Sequence, residues 1–142
     1  MITLHPAGPE DIEVVMQIAD ACGMSHTLST ENCLIAYDDS RPVGFTRLEF
    51  VSGIPYVRPI AVLPSERGRG IGKRMLSIVL AKFAEVRAVS RGTATEFYRN
   101  LGFERMSWED VHPPYRQECN ECPDKAGCKP LPMLHPSADE VV

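Results

Sequence analysis

Three observations in this 142-residue sequence predict an α/β fold. Apolar runs of strand length at 32–37, 43–51 and 54–63 follow one another with short polar turns between them, as in a meander. An amphipathic segment at 71–85 follows, with Ile71, Met75, Val79 and Phe83 in line and Leu76 and Leu80 widening the stripe. Between them lies a glycine-rich turn, Arg67-Gly68-Arg69-Gly70-Ile71-Gly72, where a strand hands over to a helix.

The other elements read in order. Met1–Leu4 forms a short strand broken by Pro6-Ala-Gly-Pro9, and a helix starts at Pro9-Glu10-Asp11 with its acidic residues in the first turn. Ile12, Val15, Met16, Ile18 and Ala19 give that helix its apolar face, which ends near Gly23. The 24–31 stretch reads as a polar loop or a broken helix. In the second strand, alternation puts Val43, Phe45 and Arg47 on one face and Gly44, Thr46 and Leu48 on the other. Pro55 and Pro59 sit awkwardly in the third, so that strand starts after Pro59 or bulges there. Val86–Ser90 is a strand, Thr93–Asn100 a helix stopped by Gly102, and Phe103–Asp110 a further strand. From Val111 onward, prolines at 113, 114, 123, 130, 132 and 136 predict an irregular extension over 111–142 rather than a second domain.

Composition narrows the function classes. The formal net charge of −4 argues against a general nucleic-acid binder. No apolar run is long enough to span a bilayer, and the N-terminal stretch lacks a secretory pattern, so a cytoplasmic protein is expected. Five cysteines, an odd number, argue against a disulfide framework.

The glycine turn carries the chemistry. A helix N-terminus offers unpaired N–H groups and about half a unit of positive charge. Glycines allow close approach to the backbone, and Arg67, Arg69, Lys73 and Arg74 add full charges, so the turn reads as a cradle for phosphate or pyrophosphate. A Walker A loop would need glycine at 67 and Ser or Thr at 74, and both are arginine. A GxGxxG fingerprint from Gly68 would need glycine at 73, which is Lys. The pattern that remains is Arg/Gln-x-x-Gly-x-Gly/Ala, with Ile60-Ala-Val-Leu-Pro64 before it and the long helix after. Here the chain resembles the GCN5-related N-acetyltransferase (GNAT) superfamily, whose loop of this form binds the pyrophosphate of acetyl-CoA. Thr93-Ala-Thr-Glu-Phe-Tyr98-Arg-Asn-Leu-Gly-Phe103 resembles a second family signature, a short helix ending in Phe-Tyr-x-x-Leu-Gly-Phe. The resemblance covers about 1–110, most strongly 58–103, and that span is expected to be the GNAT domain.

The resemblance implies a mixed, mostly antiparallel sheet with helices on both faces. It implies acetyl-CoA as cosubstrate, bound by Ile60, Ala61, Val62, Arg67, Gly68, Arg69, Gly70, Ile71, Gly72 and Lys73. It implies direct acetyl transfer to a primary amine of a small molecule or peptide, with Tyr98 as the acid that protonates the departing thiolate; a structural tyrosine is the plainer reading. Many relatives carry Asn seven residues before this tyrosine. Here the position is Arg91, which pairs with a CoA phosphate or is simply solvated. Glu49 is the carboxylate best placed by position to act as base, with a water chain as the alternative. No nucleic-acid or membrane partner is expected; a homodimer is compatible.

Cysteines and histidines complete the inventory. Cys22 and Cys33 read as small core residues. Of His5, His26, His112 and His135, only His26, in the 24–31 loop, is a candidate for catalysis. Cys119-x-x-Cys122 with Cys128 has thiolate spacing for a structural zinc, with His135, His112 or Cys33 as fourth ligand; a redox pair and an inert loop are the alternatives. Two rivals to the enzyme follow: a non-catalytic acyl-CoA sensor with a metal- or redox-responsive tail, and a generic phosphate-binding module.

Overall fold

The structure, a computed structural model, describes residues 1–24, 29–92, 94–122 and 125–136. Its strands are β1 (Ile2–Pro6), β2 (Cys33–Asp38), β3 (Arg41–Val51), β4 (Ile54–Val62), β5 (Val86–Ser90), β6 (Glu104–Arg105) and β7 (Leu131–His135). The helices are α1 (Ile12–Ala21), α2 (Ile71–Lys82), α3 (Ala94–Asn100), α4 (Pro113–Glu121) and α5 (Lys125–Cys128). The strands form one mixed sheet in the order β1-β2-β3-β4-β5-β7-β6. The chain divides into two units, residues 1–49 with 57–82 and residues 50–56 with 83–142, and β3 and β4 run from one into the other.

In the first unit, alternate residues of the strands feed two helices. Cys33 and Ile35 of β2 and Ala61 of β4 pack with Val15, Ile18 and Ala19 of α1. Leu34 and Ala36 of β2 and Ile60 and Val62 of β4 pack with Ile71 and Met75 of α2. Successive residues of a strand point to opposite faces, so α1 and α2 cover opposite sides, as expected. The 3-10 turn Pro9–Asp11 leads into α1, and the Gly8 N–H donates to Asp11 Oδ2 at 2.9 Å.

The expected grouping of Val43 with Phe45 is corrected. Ala36 pairs with Gly44 but Tyr37 with Pro42, so Val43 is an extra residue in β3. This bulge turns Val43 toward α2 while Phe45 faces α1. The adjoining Gly44 is required by space: a β-carbon there would lie 2.8 Å from the Ala61 carbonyl oxygen.

In the second unit, β4 and β5 run parallel through the pair Tyr56↔Arg87. β7 pairs antiparallel with β5, from Val86↔His135 to Ser90↔Leu131, and with β6 through Glu104↔Leu134 and Arg105↔Met133. Tyr56, Met106, Val111 and Tyr115 form the core beside these strands.

Two expectations about this half need correction, and one of the alternatives for β4, a start after Pro59, falls away. Residues 111–142 are not wholly irregular, because α4 and β7 lie among them. Pro113 and Pro114 occupy the first turn of α4, where a missing N–H costs nothing, and Pro130 precedes β7. The strand foreseen over Phe103–Asp110 shrinks to Glu104–Arg105, because Ser107 Oγ accepts from the Glu109 N–H and starts a 3-10 turn at Trp108–Asp110. β4 runs from Ile54 through both prolines.

Gly44→Ala must displace backbone, so it is expected to destabilise the protein by about 1–3 kcal/mol. A lowered urea midpoint at unchanged m-value would show this, and an unchanged midpoint would contradict the geometry.

Candidate functional site

The glycine turn starts from a buried acid. Pro64–Glu66 is a 3-10 turn, and Glu66 is buried while residues 67–70 are exposed. Arg41 Nη2 lies 2.6 Å from Glu66 Oε1, and Arg69 Nη1 donates to Glu66 Oε2 at 2.7 Å. The same Arg69 nitrogen donates to Asp38 Oδ2 at 3.0 Å. Arg41 and then Arg69 hold the Glu66 carboxyl below its ordinary range, and Arg69 does the same for Asp38. Both acids are therefore charged at neutral pH, and they fix Arg69 against the body of the first unit.

Past Arg69 the backbone opens outward. Gly68 and Gly70 have φ of +83° and +77°, and a β-carbon at either would meet nothing within 4 Å. Glycine is needed there for its left-handed backbone and not for want of room. The Arg74 N–H bonds the Gly70 carbonyl at 3.0 Å and closes the first turn of α2. The N–H groups of Ile71, Gly72 and Lys73 precede that bond, so they are the orphan donors of a helix N-terminus.

The cations of the turn differ in what they hold. Arg67 Nε donates to the Val62 carbonyl at 3.0 Å, and Arg74 Nη1 to the Ile2 carbonyl at 2.9 Å. Among the described residues, the exposed Lys73 ammonium has no partner. Ile60, Ala61 and Val62 belong to the same unit; Ala61 is buried, and the Val62 carbonyl also accepts from the Cys22 thiol at 3.4 Å.

Tyr98 lies in the second unit, and it is the buried residue of α3. Its ring meets Phe97 and Phe103 edge-on, with centroids 5.4 and 5.0 Å away. Burial pushes its phenol above the ordinary range, and the charge of Arg91 pulls the other way. Among the described residues, no hydrogen bond occupies its hydroxyl.

The remaining candidates are placed as follows. Glu49 is engaged by Arg47 Nη1 at 2.9 Å and lies 3.9 Å from Arg58 Nε. His26 lies outside the described residues. Burial pushes the Cys33 thiol up to about 11, as befits a core residue and not a metal ligand. His112 packs on Tyr115, and His135 on Phe103. Among the described residues, no three His, Cys, Asp or Glu side chains gather to hold a metal ion. No helix among them is long and apolar enough to cross a membrane. The reading of the sequence missed Glu66, Asp38 and Arg41 as supports of the turn; an acid directly before a run of arginines was the available signal.

Residues 29–105 match the acetyltransferase (GNAT) domain, and the chain belongs to that family. An uncharacterized protein of Mycobacterium leprae is 39% identical over 84 residues, which are 54% of this chain and 22% of that protein. The chain therefore spans about a fifth of the curated relative it matches. N-acetylglutamate synthase from Neisseria gonorrhoeae, complexed with coenzyme A and N-acetylglutamate, superposes with a TM-score of 0.75 at 16% identity, over 95% of this chain and 35% of that one. The ribosomal-protein-S18-alanine N-acetyltransferase of Escherichia coli superposes with a TM-score of 0.72 at 17% identity, over 100% and 99% of the two chains. These likenesses show the fold.

Glu66→Gln separates support from simple electrostatics. Removing an acid beside an anion site should tighten coenzyme A binding if charge alone mattered. Loss of the support is expected instead to weaken it about tenfold by titration calorimetry; tighter binding would refute the supporting role.

Proposed function

We propose that this chain transfers the acetyl group of acetyl-CoA directly to a primary amine. The observation that carries the reading is the turn at 67–73: two left-handed glycines lead into the unpaired N–H groups of α2, with Lys73 exposed beside them. A diphosphate asks for such a set of donors. The residues proposed to bind acetyl-CoA are Ile60, Ala61, Val62, Arg67, Gly68, Gly70, Ile71, Gly72 and Lys73. In this reading Arg69 acts indirectly, because its guanidinium is engaged by Glu66 and Asp38.

A neutral amine attacks the thioester carbonyl, the C–N bond forms, and the oxyanion is held by a backbone N–H near Val62. The C–S bond then breaks, and Tyr98 gives its proton to the departing thiolate. An alkyl thiol of pKa about 8.5 is a better leaving group when a donor is in reach. The raised phenol keeps that proton available. The amine's own proton leaves through water, because Glu49 is engaged by arginine. No covalent enzyme intermediate is needed. Acceptors of this chemistry include amino acids, polyamines, aminoglycosides and peptide N-termini.

The test is an acceptor panel with acetyl-CoA, followed by release of free thiol. Turnover with at least one amine is expected. Coenzyme A binding without any release would favour an acyl-CoA sensor, and equal competition by ATP would favour a generic phosphate module. Tyr98→Phe is expected to lower kcat about a hundredfold and leave coenzyme A affinity unchanged. The phenol's raised pKa keeps it protonated above the ordinary value of about 10. Turnover, corrected for spontaneous hydrolysis, should therefore show no loss from this group through about pH 10, where an exposed tyrosine would be half ionised.

A further inference from the structure

The helix that carries Tyr98 is tied at its first turn by two hydroxyls. Ser90, the last residue of β5, is 1% exposed, and its Oγ lies 2.9 Å from Thr95 Oγ1 and 3.2 Å from the Leu131 carbonyl oxygen. A carbonyl only accepts, so Ser90 must give its single proton to Leu131. Thr95 is then the donor to Ser90, and the three groups form a chain of one polarity: Thr95 hydroxyl to Ser90 hydroxyl to Leu131 carbonyl. Thr95 stands three residues before Tyr98 in α3, a spacing that places both on one side of a helix. A tether at Thr95 therefore sets the rotation of α3 and with it the direction of the phenol.

The surroundings favour positioning over mere filling of space. The backbone turns between β5 and α3 at Gly92, with φ +52°, and the Gly92 N–H donates to the Cys128 carbonyl at 2.7 Å. Past the end of α3, the His135 ring packs on Phe103, and a β-carbon on Gly102 would lie 3.2 Å from His135 Nε2. The Met106 N–H donates to the Pro132 carbonyl at 3.0 Å. Residues 128–135 thus hold both ends of the 90–106 connection, and the Thr95–Ser90–Leu131 chain ties α3 itself to the same segment.

We propose that Thr95 and Ser90 are positioning residues for acyl transfer, which act by aiming the Tyr98 hydroxyl through their hydrogen-bonded chain to Leu131. This rests on the reading of Tyr98 as the acid. Thr95→Val keeps the shape and removes the donor. It is expected to lower kcat about tenfold, with KM for acetyl-CoA changed less than about twofold, because small misplacements at the reacting centre cost rate. Thr95→Ser returns the hydroxyl and should restore most of the turnover. Ser90→Ala breaks the chain from its other side and should reproduce the loss, which guards against a fold defect peculiar to valine. In a Tyr98→Phe background, Thr95→Val is expected to add nothing, since the group it aims is gone.

An unchanged kcat in Thr95→Val and Ser90→Ala overturns the proposal, and so does a further tenfold loss on top of Tyr98→Phe. Full turnover in Tyr98→Phe alone would instead overturn the acid itself, and the tether with it. A large loss in Tyr98→Phe with none in Thr95→Val sinks the tether only.

Discussion

A nearly buried carboxylate caught between two guanidiniums gives the first unit its functional shape. Glu66 joins Arg41, at the start of β3, to Arg69, in the middle of the glycine turn, and Asp38 at the end of β2 closes the ring of charges. A turn with four cations in eight residues repels itself. Two carboxylates at its base remove that repulsion on one side and leave Lys73 exposed on the other. The left-handed glycines Gly68 and Gly70 flank the pinned Arg69, and α2 starts directly after them. Each member has a second partner, so the ring holds Arg69 through two carboxylates and Glu66 through two guanidiniums.

The second unit is organised by hydrogen bonds to main chain. Arg87 Nη1 donates to the Tyr56 hydroxyl at 3.2 Å and to the Asp110 carbonyl at 2.8 Å, while its Nε holds Glu85 at 2.6 Å. The Tyr56 hydroxyl also accepts from the His112 N–H at 3.2 Å, the residue that precedes α4. One phenol thus links β4, β5 and the start of α4. The same economy recurs at Ser90 of β5, whose hydroxyl touches two further elements, α3 at Thr95 and β7 at Leu131.

Much of this was legible in the sequence where periodicity and glycine chemistry spoke together. The stripe of α2, the run at Val86–Ser90 and the handover at Gly68–Gly70 needed only local rules, and those segments formed as read except that the helix expected over 71–85 ends at Lys82 and leaves Phe83 outside it. The misses arose where a local rule met a long-range partner. Val43 changed faces because one extra residue entered β3, which no alternation count reveals. Prolines at 113 and 114 looked like breakers but begin a helix, and Leu131–His135 became a strand because β5 and β6 lie on either side of it. Arg69 looked like one more phosphate cation; only the fold brings Asp38, thirty-one residues away, against it.

The cysteines acquire a ranking that the spacing of the tail did not suggest. Cys122 is exposed at the end of α4, Cys22 is half-buried and donates to a carbonyl, and Cys33 is sealed in the core with its thiol pushed up to about 11. Alkylation requires the thiolate and access to it, and burial denies Cys33 both, so an electrophile will reach the exposed Cys122 well before Cys33. Modification of Cys33 then becomes a signature of the chain coming apart, and one reagent can report surface reactivity and loss of the core on separate timescales.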